Sequence, residues 1–186
     1  MKQLFYIVCV FHIIFSYKGF SQSLSDSINL RTINKYYLEQ LIKTKIDSVR
    51  IKNKREVLKE DSILYLTAGY HANYILENNV LSHTEKKPKM KTPQTRAEFF
   101  GAKNYLVGEN IAYTYVNELI IEKNKKNTNI TYQDVANDFV DMWVHSPRHF
   151  ANIINKDYTL TAIAISFDEK TNKVYAVQNF AWIFLK

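Results

Sequence analysis

Leu160-Thr161-Ala162-Ile163-Ala164-Ile165-Ser166-Phe167 decides the fold, together with the run from Val174 to Phe184. Both stretches are rich in β-branched and aromatic residues, and Asp168-Glu169-Lys170-Thr171-Asn172 between them reads as a hairpin loop. In the first strand Ile163, Ile165 and Phe167 share one face, while Leu160, Ala162 and Ala164 share the other. A strand that is apolar on both faces is covered on both sides. The expected cover is helical, because the chain upstream carries helical periodicity, and the sum is a sheet between two helical layers.

The first helix is expected from about Asn34 to Lys52, with Tyr37, Leu41, Ile42 and Val49 recurring among charges. Asp61 reads as the N-cap of a second helix that ends near Asn78-Asn79. Its inner face would carry Leu64, Ala68, Ala72 and Ile75, and Ala68, Gly69 and Ala72 are small enough to let another element approach closely. Lys86 to Thr95 reads as an exposed loop and Arg96 to Phe100 as a helical turn ended by Gly101. Gly108-Glu109-Asn110-Ile111 is expected to be extended or in a turn. Thr131 with Asp134 forms a capping box for a third helix bearing Val135, Phe139 and Met142. That helix must stop before Pro147, and Ser146 as N-cap with Pro147 at the first position starts a short helix through His149 to Ile153.

The N-terminus is a second source of information. Lys2 precedes an apolar run from Leu4 to Phe15, and Gly19 and Ser21 are small residues at the spacing signal peptidase accepts. Residues 1–21 are therefore expected to be a cleavable signal peptide, residues 22–35 a tether and residues 36–186 the domain. The apolar run falls short of the roughly 20 residues that span a bilayer, so an uncleaved anchor is the lesser alternative, and no segment after cleavage is apolar enough to enter a membrane. The net charge is +7, and removing Lys2 and Lys18 with the signal leaves +5. The lysines lie in mixed polar stretches, a pattern of solvated surface, and no basic helix interleaved with aromatics suggests nucleic acid. The only cysteine, Cys9, lies inside the signal, so the mature chain has no disulfide to rely on.

Three segments carry candidate chemistry: Leu81-Ser82-His83, Gly108-Glu109-Asn110-Ile111 and Trp143-Val144-His145-Ser146-Pro147-Arg148-His149. Two imidazoles and a carboxylate are ligands zinc accepts, but spacing alone leaves open whether His83, Glu109 and His149 meet. His71 reads as a packed or hydrogen-bonded residue, Trp143 as core, and Arg50 and Arg96 as structural partners of acids. Asn110 is expected to satisfy backbone groups.

Taken in order, these segments resemble the CAP superfamily (cysteine-rich secretory proteins, antigen 5 and pathogenesis-related 1; the SCP domain), and its bacterial branch in particular. Ile46 to Arg50, the second-helix pattern Leu58 to Ala72, Arg96 with Gly101, the Trp-x-x-Ser-Pro-x-His-x-x-Asn-Ile string and Val177 to Phe180 extend the resemblance over about residues 38 to 184. The resemblance implies an α+β fold, a three-layer α-β-α sandwich. It also implies a cleft bearing two histidines, His83 and His149, and two acids, of which the first is Glu109. At the second acid's position this chain has Ser146. Zn2+ or another divalent metal on His83, His149 and Glu109 is thus implied with one charge missing.

The expected function is a non-enzymatic binding domain, secreted or periplasmic, that takes a lipid, a cell-envelope component or a protein in or near this cleft. A metal-dependent hydrolase or peptidase using His83, Glu109 and His149, and a structural domain with a vestigial cleft, are the alternatives.

Overall fold

The computed structural model describes residues 23–184 apart from 117–118, 123–124 and 129–130; the expected signal peptide lies outside the described residues. Five α-helices, α1 (Lys35–Lys52), α2 (Ser62–Asn78), α3 (Pro93–Phe99), α4 (Tyr132–Val144) and α5 (Pro147–Ile153), enclose a sheet. The sheet contains β1 (Lys59–Glu60), β2 (Tyr105–Tyr115), β5 (Leu160–Asp168) and β6 (Lys173–Ile183), in the order β1-β5-β6-β2. β2 and β5 run antiparallel to β6 between them, and β1 runs parallel to β5. A separate two-stranded ladder joins β3 (Leu119–Glu122) to β4 (Lys125–Thr128).

The two-sided apolar strands are covered as their sequence requires. Ile163 and Ile165 of β5 pack with Leu38, Ile42, Phe139 and Trp143 in a core that α1 and α4 close. The small residues of the other face, such as Ala164, meet Ala68, Ala72 and Ile75 of α2. A Cβ added at Gly69 would lie 3.8 Å from that of Ala164, the contact distance of directly packed surfaces. α2 starts where Asp61 accepts from the Leu64 N–H and ends at Asn79, a left-handed residue after which the Val80 N–H returns to the Ile75 carbonyl. α4 opens on the expected capping box of Thr131 and Asp134.

In the expected tether Ile28 and Leu30 are buried, and the Asn34 N–H donates to the Tyr132 hydroxyl. Two local expectations are corrected. α3 begins three residues earlier than the expected turn, because Thr92 and Thr95 form a reciprocal cap ahead of Pro93, and Met90 in the supposedly exposed loop is buried. Arg50 is buried, but it donates to the carbonyls of Glu56, Ile153 and Asn155 rather than to an acid. An arginine fork can terminate a loop and a helix end together by collecting carbonyls that have no other donor.

Candidate functional site

β2 carries the site. Gly108-Glu109-Asn110-Ile111 takes the extended one of its two expected conformations, in the middle of this eleven-residue strand, opposite Gln178, Asn179 and Phe180 of β6. Gly108 is required by close approach. A Cβ there would lie 2.2 Å from the Tyr158 hydroxyl and 2.9 Å from Cζ of the same ring, and that ring is stacked on Phe180.

Glu109 projects into a buried polar cluster. Its Oε2 accepts from Arg96 Nη2 at 2.7 Å, while Oε1 lies 2.9 Å from His83 Nδ1 and 3.6 Å from His71 Nε2. Turning the Asn179 amide to suit its neighbours lets Nδ2 donate to Glu109 Oε2 at 3.1 Å. Arg96 also donates to the carbonyls of His83 and Met90, which ties the loop bearing His83 to α3. Behind them, His71 Nδ1 meets Glu85 Oε1 at 2.7 Å and His71 Nε2 meets the Ser82 carbonyl at 2.9 Å. With Nε2 donating to Ser82, the Nδ1–Glu85 contact needs a proton of its own, held between ring and carboxylate. Burial lowers the pKa of His71, and the carboxylates of Glu109 and Glu85 oppose that fall.

The expected cleft residues divide into two pairs. His83 and Glu109 are hydrogen-bonded, with His83 half exposed and Glu109 buried. Ser146 and His149 line a neighbouring cleft of about 400 Å³ beside β2, with apolar surface from Leu81, Ala112, Met142 and Trp143. The pairs meet electrostatically: burial first, and then charge on His83, lower the pKa of His149. Nδ1 of His149 is buried without a partner among the described residues. α5 is held to β2 by asparagines, since Asn110 donates to the His149 carbonyl and Asn152 donates to the Glu109 carbonyl and to Asn110. Asn110 thus satisfies backbone as expected, across to α5. Ser146 takes the N-cap backbone position of α5, but its side chain makes no cap hydrogen bond, which corrects the expected role. Pro147 has already removed one orphan N–H.

A metal at these residues has to be weighed against their existing bonds. An open zinc site takes three protein ligands. Glu109 has both oxygens engaged by Arg96 and His83, Ser146 offers no carboxylate, and no group of three or more His, Cys, Asp or Glu suited to a metal occurs among the described residues.

One participant escaped the sequence: Glu85 gave no signal, lying between His83 and a lysine-rich loop. His71 is hydrogen-bonded, one of its two expected roles, with Glu85 and Glu109 as the carboxylates it meets. Its position, one turn beyond Ala68 on a helix face of small apolar residues, was the available sign that it needed buried partners.

The profile of the cysteine-rich secretory protein family, CAP, matches residues 44–180. No protein of curated function matches the chain in sequence. Among solved structures, an outer surface protein of Borrelia burgdorferi superposes with a TM-score of 0.63 at 21% identity, over 86% of this chain and 98% of that one. An extracellular protein of Bacillus anthracis containing an SCP domain gives 0.63 at 20% identity, over 85% of this chain and 45% of that one. A cysteine-rich secretory protein of Staphylococcus aureus gives 0.55 at 13%, over 80% and 39%. The chain thus spans less than half the length of the last two, and at these identities the likeness is one of fold. The profile match covers most of the sequence, and the α-β-α arrangement agrees with it: the chain belongs to the CAP family.

Proposed function

We propose that this protein is a non-enzymatic binding domain that works outside the cytoplasm and takes a cell-envelope or extracellular ligand in the cleft beside β2. One observation carries the reading: the cleft's apolar surface is open, while the neighbouring carboxylate Glu109 is committed to Arg96. A general base must be free to accept a proton from water or substrate, and a carboxylate locked to a buried guanidinium is a structural group. Export rests on the N-terminal pattern of Lys2 to Ser21, and it is supported by the extracellular and outer-surface descriptions of the Bacillus and Borrelia proteins. No described helix is long and apolar enough to cross a membrane.

The test is saturable binding of envelope fractions, lipid and non-lipid, to the purified protein and to Met142→Trp, which fills the cleft. Binding that the variant loses while remaining folded supports the reading. An unchanged affinity in Met142→Trp places the ligand elsewhere, and metal-dependent hydrolysis abolished by Glu109→Gln overturns the non-enzymatic assignment.

A further inference from the structure

Side chains meet some of the outward backbone groups along the sheet's outer edges. β2 bonds to β6 through its even-numbered residues: Phe184 N–H donates to Asn104 and Val116 N–H to Asn172 at the two ends of the ladder, which sets the alternation. Odd-numbered residues therefore turn their N–H and C=O outward. In the first half of β2 three of the six such groups of Tyr105, Val107 and Glu109 have built-in partners. Gln94 donates to the Tyr105 carbonyl and accepts from the Val107 N–H, and Asn152 donates to the Glu109 carbonyl. On the opposite side of the sheet Glu39 accepts from the outward Ile165 N–H. From Ile111 to Tyr115 these partners stop. Among the described residues nothing bonds the outward groups of Ile111, Tyr113 and Tyr115, and the cleft described above lies along that same stretch.

From this coincidence we infer that the cleft's ligand is an extended polypeptide segment that adds as a further strand to β2 at Ile111–Tyr115. The inference rests on the binding function proposed above and names its ligand class. An extended chain offers donors and acceptors at the alternating spacing the edge presents, and it turns every second side chain toward one wall. Met142, beside Ala112, gives such a side chain an apolar seat. Lys173 Nζ lies 5.1 Å from the Tyr113 ring centre and 5.6 Å from that of Tyr115, so the Tyr115 end favours an acidic residue in the peptide. An acyl chain has no groups to meet the open N–H and C=O. A second copy of β2 would bring its own flanking α4 and α5 against the first.

The probe is a displayed library of random heptapeptides selected on the folded protein, with the strongest binder synthesised. N-methylation of the peptide at alternate residues distinguishes strand addition from other binding. Methyls on the amides that face β2 weaken binding about tenfold or more, since each removes a hydrogen bond and adds a clash. Methyls on the intervening amides change it less than about twofold by the same reasoning. Hydrogen exchange slows at Ile111, Tyr113 and Tyr115 on binding. Tyr113→Pro, which removes an outward N–H and leaves the ladder bonds in place, loses binding, whereas Tyr113→Ala retains it; the peptide measurements decide the matter if the proline variant fails to fold. Equal loss for both methylation sets, or enrichment of the same peptides on Met142→Trp, overturns the inference. So does protection of the same amides by self-association without peptide. Envelope lipid that saturates the cleft without slowing those amides overturns strand addition alone, and failure of every ligand overturns the binding function as well.

Discussion

Arg96 and Glu109 form an ion pair of 2.7 Å with side chains 0% and 1% exposed, and the pair joins α3 to the middle of β2. Glu109 belongs to the strand that runs along the cleft, and Arg96 belongs to the support that holds the loop of His83. The site's acid thereby ties the strand to that support.

Arg96 Nη1 also lies 3.6 Å from Glu85 Oε1, so removing the guanidinium leaves both Glu109 and Glu85 buried without it. Arg96→Met is expected to cost about 3–5 kcal/mol in urea unfolding, the range for breaking a buried pair on one side. The double variant Arg96→Met/Glu109→Gln should recover part of that loss, and Arg96→Lys should not restore it, because one ammonium cannot serve Glu109, His83 and Met90 in the same geometry.

At Gly108 the expected defect is steric. Gly108→Ala drives a methyl into the Tyr158 hydroxyl, and the ring cannot swing freely because it stacks on Phe180 at 5.4 Å. The expected loss is about 1–3 kcal/mol. Tyr158→Leu in the same chain should return much of it, measured by thermal unfolding of the four members of the cycle.

Glu39 gives a pH dependence of opposite sign to ordinary acid denaturation. Burial raises its pKa, against the bonds from Ile165 and Tyr65. Its contribution is complete below the normal carboxyl pKa and is lost as pH rises through the raised folded value. Glu39→Gln keeps an acceptor for the Ile165 N–H and carries no charge. Its stability relative to wild type should therefore increase as pH rises above the normal carboxyl range, read from urea midpoints; a constant difference would mean that Glu39 is not raised.

The fold was legible because its signals are local. Ile163, Ile165 and the alanines between them declare a strand covered twice, and Asp61, Asn79 and Thr131 mark helix ends by chemistry that acts within a few residues. The site was legible in part. The motifs brought His83, Glu109, Ser146 and His149 to attention, but what each touches depends on long-range pairing. Gly-Glu-Asn-Ile left strand and turn open because glycine and asparagine favour turns, yet here glycine answers to Tyr158 and asparagine to His149, each about 40 residues or more away. Glu85 was invisible for the same reason. Its partners His71 and Arg96 come from α2 and α3, and no spacing rule connects them.

Zinc titration by calorimetry, on wild type and on His83→Ala and His149→Ala, tests the central claim most directly. With Glu109 held by Arg96 and serine at position 146, wild type should show no tight stoichiometric zinc binding, and neither substitution should alter the heat. One equivalent bound tightly by wild type and lost in both variants, with peptide or ester hydrolysis appearing in the zinc-loaded protein, would contradict it.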